Sequence, residues 1–160
     1  MDTKKHFLLI KREGFRTDGK ALTAHQSALA LLEAGIWPLW EHTRNRRAMK
    51  AGDEVAIYLS GRGNQVVIAS AIVTEIGPWE GSIARRYPLL LDGTPFAVLH
   101  LSKKHVFQCP IKVATKLNSL SFVKKNDPKW GVAFMGGTRA LSTADFGVLT
   151  GKERNQHGIR

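Results

Sequence analysis

The sequence predicts a single mixed α+β domain, a small barrel of short strands with flanking helices, in a chain of 160 residues. Three observations predict it. Short apolar runs are separated by glycine-marked turns, one capped helix follows the first run directly, and Val66 to Val73 is almost wholly apolar, as in a strand packed on both sides or wrapped into a barrel. A chain of this length can bury about two thirds of its unfolded surface in one core. The expected organisation is one domain over residues 1–150 and a polar tail over 151–160, without internal repeat, heptad array or low-complexity segment.

His6 to Lys11 reads as the first strand, followed by a polar loop with Gly14 and Gly19. Thr23-Ala24-His25-Gln26 is a capping box, because the Thr23 hydroxyl can accept from the Gln26 amide while the Gln26 side chain reaches back. The helix it opens runs to Ala34, carries Ala28, Leu29 and Leu32 on one face, and stops at Gly35. Thr43 to Lys50 reads as a second short helix, basic on its outer side through Arg44, Arg46, Arg47 and Lys50. Ala51-Gly52-Asp53 is a tight turn, after which Val55, Ile57 and Leu59 alternate as a half-buried strand. Ser60-Gly61-Arg62-Gly63-Asn64 is a loop before the apolar strand from Val66. Another strand is expected from Phe96 to Leu101, extended or followed by Val106-Phe107. Ser142-Thr143-Ala144-Asp145 caps a last helix through Phe146 and Leu149, and from Thr150 onward the chain is polar and expected to fray.

Composition narrows the function classes. Cys109 is the single cysteine, which excludes an internal disulfide and a Cys-x-x-Cys metal knuckle, reads as a small core residue, and points to a reduced, cytoplasmic setting. No apolar run approaches the ~18 residues of a membrane span, and no export signal is expected. The net charge of +11 is uneven: residues 1–80 carry 11 basic and 9 acidic side chains, residues 81–160 carry 13 and 4. That asymmetry predicts a polyanion-binding face. Among four tryptophans, Trp37 and Trp79 sit in turn-like contexts, Gly35-Ile36-Trp37-Pro38 and Gly77-Pro78-Trp79-Glu80-Gly81, and indole is the best surface on which to stack a nucleobase. Each could equally plug the end of a small core. Trp130, beside Val132 and Phe134, reads as structural.

Catalytic signatures are missing. There is no Gly-x-Ser-x-Gly elbow, phosphate-binding Walker loop or HNH-type cluster, and His100 and His105 lack a third ligand at metal-site spacing, so no cofactor or metal is expected.

The segment Gly35-Ile36-Trp37, with the run Asn45-Arg46-Arg47-Ala48-Met49-Lys50-Ala51-Gly52-Asp53 leading into a strand that ends Tyr58-Leu59-Ser60, resembles the PUA-like superfamily, in particular its EVE and YTH branches. The closing segment from Trp130 to Ser142, with Gly136-Gly137-Thr138-Arg139 at its centre, is similar to the end of EVE-like modules that precede restriction nucleases. The resemblance implies a barrel of about five or six strands. It also implies a nucleic-acid-binding reader that flips a modified, methylated base of DNA or RNA into an aromatic cage.

On that reading the base sits between Trp37 and Trp79, with Trp40 in reserve, and Ser60, Asn45 and Tyr58 are candidates for its polar edge, although alternation with Ile57 could turn Tyr58 to solvent. Phosphates fall to Arg139 beside its two glycines, to Arg44, Arg46, Arg85 and Arg86, and to the pairs Lys103-Lys104 and Lys124-Lys125. Partners implied are nucleic acid and a separate or fused nuclease or NTPase effector, with no membrane. Two rivals remain at this stage: a general RNA-binding PUA-like domain indifferent to modification, and a small ASCH-like hydrolase, which a carboxylate and a lysine or histidine converging in the pocket would support.

Overall fold

A computed structural model describes residues 3–152. Its centre is a curled six-stranded sheet in the order β4-β7-β6-β5-β1-β8. In chain order the strands are β1 (His6–Lys11), the hairpin pair β2 (Gly14–Phe15) and β3 (Ala21–Leu22), β4 (Ile36–Leu39), β5 (Glu54–Leu59), β6 (Val66–Gly77), β7 (Ala97–Lys112) and β8 (Thr138–Leu141). Helices α1 (Ala24–Ala34), α2 (Gly81–Arg86) and α3 (Thr143–Thr150) flank them. Strands β1 and β5 are parallel and every other pairing in the sheet is antiparallel. The α+β barrel-like class with flanking helices is as the sequence predicts.

Both faces of the sheet are covered, and strand alternation sorts the side chains between two cores. Phe7, Leu9, Val55, Ile57 and Leu59 pack with Leu31, Leu32 and Trp37 on the α1 side. Leu8, Ala56, Tyr58 and Val67 pack with Phe134, Leu141, Phe146 and Leu149 on the α3 side. Strand β5 is therefore buried along its whole length, where its alternation predicts half burial. Tyr58 turns away from solvent into the second core, stacked on Phe134 with centroids 4.8 Å apart, and burial pushes its hydroxyl up to about 12.

The capping box is formed on both arms, Gln26 N–H to Thr23 Oγ1 and Thr23 N–H to Gln26 Oε1, each at 3.0 Å. Gly35 closes α1 at φ 73°, its N–H reaching the Leu31 and Leu32 carbonyls. Only a residue without Cβ enters that conformation cheaply. Leu31 rather than Leu29 is fully buried on the inner face.

Other expectations need correction. Thr43 to Lys50 forms consecutive turns and no helix, because Asn45 takes φ 61° and Asp53 gathers the end of the segment by accepting from the Lys50 and Lys5 amides. Trp37 lies on a strand, not in a turn. Of the two expectations for Val106-Phe107, extension holds: the strand runs from Ala97 through Phe107 to Lys112, its register broken by bulges against β6 that absorb the positively charged Lys103-Lys104. Cys109 is exposed on that strand instead of filling the core. Of the expected tail, Lys152 donates to Glu54 Oε2 at 2.7 Å, and residues 153–160 lie outside the described part. No helix among the described residues is long and apolar enough to cross a membrane.

Candidate nucleic-acid interface

The turn between the last 3-10 segment, Trp130–Phe134, and β8 organises one end of the barrel. Gly136 and Gly137 take φ 97° and 83°, which lets the chain double back beside β1, where the Ile10 amide donates to the Gly137 carbonyl at 2.8 Å. The turn is clamped to the Arg44-Asn45 segment. The Arg44 amide reaches the Gly136 carbonyl, the Thr138 hydroxyl donates to the Arg44 carbonyl, and Asn45 Nδ2 donates to Thr138 Oγ1 at 3.3 Å. Two segments distant in sequence, both of them basic, thus meet at one place.

Two cavities share a wall made by Ile10, Glu13 and Gly137. The first, about 240 Å³, is lined by Trp37, Trp40 and Tyr87 together with Lys11, Glu13, Phe15, Thr43, Leu90 and Thr138. Trp37 is 4% exposed and belongs equally to the first core, so it forms the floor. Trp40 is half-buried, its amide donating to Thr43 Oγ1 at 2.9 Å. Burial pushes the Tyr87 hydroxyl up to about 12. The second cavity, about 560 Å³, holds Tyr58 and Ser60 with Arg12, Gln65, Phe134 and Met135.

Of the sequence candidates, Trp37 and Trp40 are brought together in the first cavity, and Tyr58 and Ser60 in the second. Asn45 stands behind Thr138. Trp79 lines neither cavity and meets Tyr87 edge-on at 5.3 Å, one aromatic removed from Trp37's pocket. Among the basic residues, Arg85 and Arg86 are exposed at the end of α2, next to Tyr87. The Arg44 side chain runs along Gly136, where a Cβ would stand 2.9 Å from its Nε. Arg139 lies with its guanidinium 4.0 Å over the Phe122 ring and donates to the Ala133 carbonyl at 3.2 Å; burial, then Arg44, lower its pKa. Arg46 stacks over Phe96 at 5.2 Å and faces Glu41 at 3.8 Å. Lys103, Lys104, Lys124 and Lys125 are exposed and line neither cavity.

Sequence reasoning missed Lys11, Glu13, Thr43, Tyr87 and Thr138. Lys11 is half-buried in the cavity wall, and burial, then neighbouring Arg12, lower its pKa against the opposing pull of Glu13. The available signal was its position at the end of β1, where an ammonium interrupts an otherwise apolar strand. Thr43 Oγ1 accepts from the Trp40 amide, and Thr138 Oγ1 accepts from Asn45 Nδ2 and donates to the Arg44 carbonyl.

No protein-family model matches the chain, and no curated protein matches it in sequence. Solved structures do. The N-terminal domain of Staphylothermus marinus McrB aligns over 94% of this chain and 96% of its own, at TM-score 0.59 and 8% identity. Human THYN1, solved in complex with DNA containing 5-methylcytosine, aligns over 94% and 98% at TM-score 0.57 and 15% identity. A hypothetical protein from Leishmania major aligns over 97% and 98% at TM-score 0.59 and 16% identity. The chain shares the fold of these structures.

Proposed function

We propose that the chain is a noncatalytic reader of a modified base, in DNA in the first instance, which it takes from the stack and holds against Trp37 and Trp40. The observation that carries this reading is the first cavity, about 240 Å³ and walled by two indoles and a phenol. It is smaller than the roughly 300–1,000 Å³ of pockets for drug-sized ligands, a size suited to one planar ring. Extracting a base costs a few kcal/mol, and stacking recovers ~1–3 kcal/mol per base, so the aromatic walls are sufficient in magnitude.

Selectivity falls to Lys11 and Glu13. An ammonium only donates and an ionised carboxylate only accepts, a pair that matches a base edge with a ring acceptor beside an exocyclic amine, as cytosine and adenine have. A wrong edge would leave a half-buried lysine unpaired, at a cost of ~1–3 kcal/mol. Trp79 takes the role of a brace for Tyr87, Asn45 fixes Thr138, and Tyr58 and Ser60 serve the neighbouring cavity. Arg44, Arg85 and Arg86 take the phosphate contacts. Arg46, Arg139, Lys124 and Lys125 add to the positive potential that gathers the polyanion.

The structural likeness to THYN1, solved with methylated DNA, and to the McrB domain supports the choice of ligand class. Because the McrB likeness is to one domain of a longer protein, the reader is expected to work with a nuclease or NTPase effector, fused or separate. The test is a 2-aminopurine placed beside the modified base in a duplex: binding should raise its fluorescence as the neighbour unstacks, and unchanged fluorescence at saturation contradicts flipping.

One observation favours a second reading. Lys11 and Glu13 do converge on the cavity, the arrangement that a small ASCH-like hydrolase would need. In that reading Lys11 would serve as the base. Turnover of modified nucleosides by the wild type that Lys11→Met abolishes would establish it.

A further inference from the structure

The described residues include five large apolar side chains that stand exposed, and two of them meet at the mouth of the first cavity. Phe15 is 51% exposed and Leu90 is 52% exposed. They come from segments far apart in sequence, yet the Leu90 amide donates to the Phe15 carbonyl at 2.9 Å. The adjoining pair Arg16 and Leu89 forms a bridge that fixes the two segments together. Both side chains line the cavity lip. Apolar residues scattered singly on a surface need no explanation, but two held together by backbone bonding beside a base-sized pocket do.

We propose that Phe15 and Leu90 form a wedge that enters a DNA duplex and fills the gap left by the flipped base. The proposal rests on the reader function above and deepens it by assigning double-stranded DNA as the ligand. An unpaired strand offers no gap to fill, whereas a duplex that has lost one base from its stack exposes two apolar base-pair faces, which Phe and Leu side chains are suited to cover. The charge around the pair fits the same partner. The β2–β3 hairpin and its approach carry Arg12, Arg16 and Lys20, and α2, on the way to Leu90, ends in exposed Arg85 and Arg86. Arg16 is held by Asp18 at 2.7 Å, which braces the hairpin that presents Phe15.

The experiment compares wild type, Phe15→Ala, Leu90→Ala and Phe15→Leu on three DNA probes. These are a fully paired duplex with one modified base, the same strand alone, and the same duplex with an abasic site opposite the modified base. The modified base is whichever of 5-methylcytosine, 5-hydroxymethylcytosine or N6-methyladenine the wild type binds best. Each alanine variant should lose on the order of tenfold or more on both duplexes, whose stacks are left with a gap, the equivalent of a fraction of the unstacking cost, and keep its affinity for the strand alone. Phe15→Leu, which retains apolar bulk, should keep duplex binding. Equal losses on all three probes, or none on the paired duplex, would overturn the wedge while leaving the pocket reading standing. Equal wild-type affinity for modified and unmodified DNA would overturn the pocket reading and the wedge with it.

Discussion

Trp37 and Trp40 stand three residues apart and answer to different forces. Trp37 is a core residue as much as a cavity wall, at 4% exposure, whereas Trp40 is half-buried and shows its face to the cavity. Trp37→Ala should therefore destabilise the fold by ~3–5 kcal/mol through lost burial and a residual void, and lower the melting temperature accordingly. Trp40→Ala should leave melting close to wild type and weaken oligonucleotide binding by ~1–3 kcal/mol. Thermal unfolding and affinity of the two variants, measured side by side, check both. A Trp40 variant that melts early yet binds normally would make Trp40 a core plug. At this scale the sequence misplaced Trp37: Pro38 and Gly35 make it look like a turn residue, while pairing with Leu99 on β7 makes it a strand residue. Lys11 and Glu13 were not legible, because only the fold brings the end of β1 to the cavity.

Among the elements, the glycine turn before β8 determines how the rim is built. Gly136 sits at φ 97° with the Arg44 side chain against it, so an added Cβ meets both backbone strain and Arg44 Nε at 2.9 Å. Gly136→Ala should cost ~1–2 kcal/mol in stability from the left-handed backbone, with a further drop in oligonucleotide affinity as Arg44 is displaced. Normal melting and binding in this variant would show that the turn can relax without consequence. The bounds of helix α1 were readable because its caps are local chemistry: Thr23, Gln26 and Gly35 each act within one turn. The segment from Thr43 to Lys50 was not, because its helical composition is overridden by Asn45 at φ 61°, by Thr138's grip on Arg44 and by Asp53 collecting the Lys50 amide. Strand β5 shows the same limit in another form, since alternation separates two faces but does not say that α3 covers the second one.

The whole molecule is tied together across its ends by Glu54. Its carboxylate faces Lys4 at 3.0 Å, His6 at 3.2 Å and Lys152 at 2.7 Å. Burial alone would raise its pKa, but the bonds to Lys152 and Lys4 outweigh it and hold the group at about 2, against an ordinary 4.5. Because the folded value is depressed, the contribution is fully present above the unfolded pKa and is lost as pH falls from the ordinary carboxylate range towards 2. It amounts to on the order of 2 kcal/mol once the half-exposed lysines are discounted for screening. Glu54→Gln should lower stability near neutrality and flatten the acid limb of the stability profile; an unchanged profile would remove Glu54 from the account. The same scale shows how far composition reached: the excess of positive charge in residues 81–160 is real, but Arg139 is engaged over an aromatic ring, so net charge alone does not name the phosphate contacts.

The most direct measurement is the ratio of affinities for two duplexes that differ only in one base modification, taken at fixed salt because the phosphate contribution varies steeply with ionic strength. The cavity account predicts a ratio well above one for wild type over a panel of 5-methylcytosine, 5-hydroxymethylcytosine and N6-methyladenine. It also predicts a ratio near one for Trp40→Ala, and for Lys11→Met a loss of preference for cytosine or adenine over thymine and guanine, while the residual binding of both keeps the wild-type salt slope. A wild-type ratio of one for every modification, with binding that depends on salt alone, would contradict it.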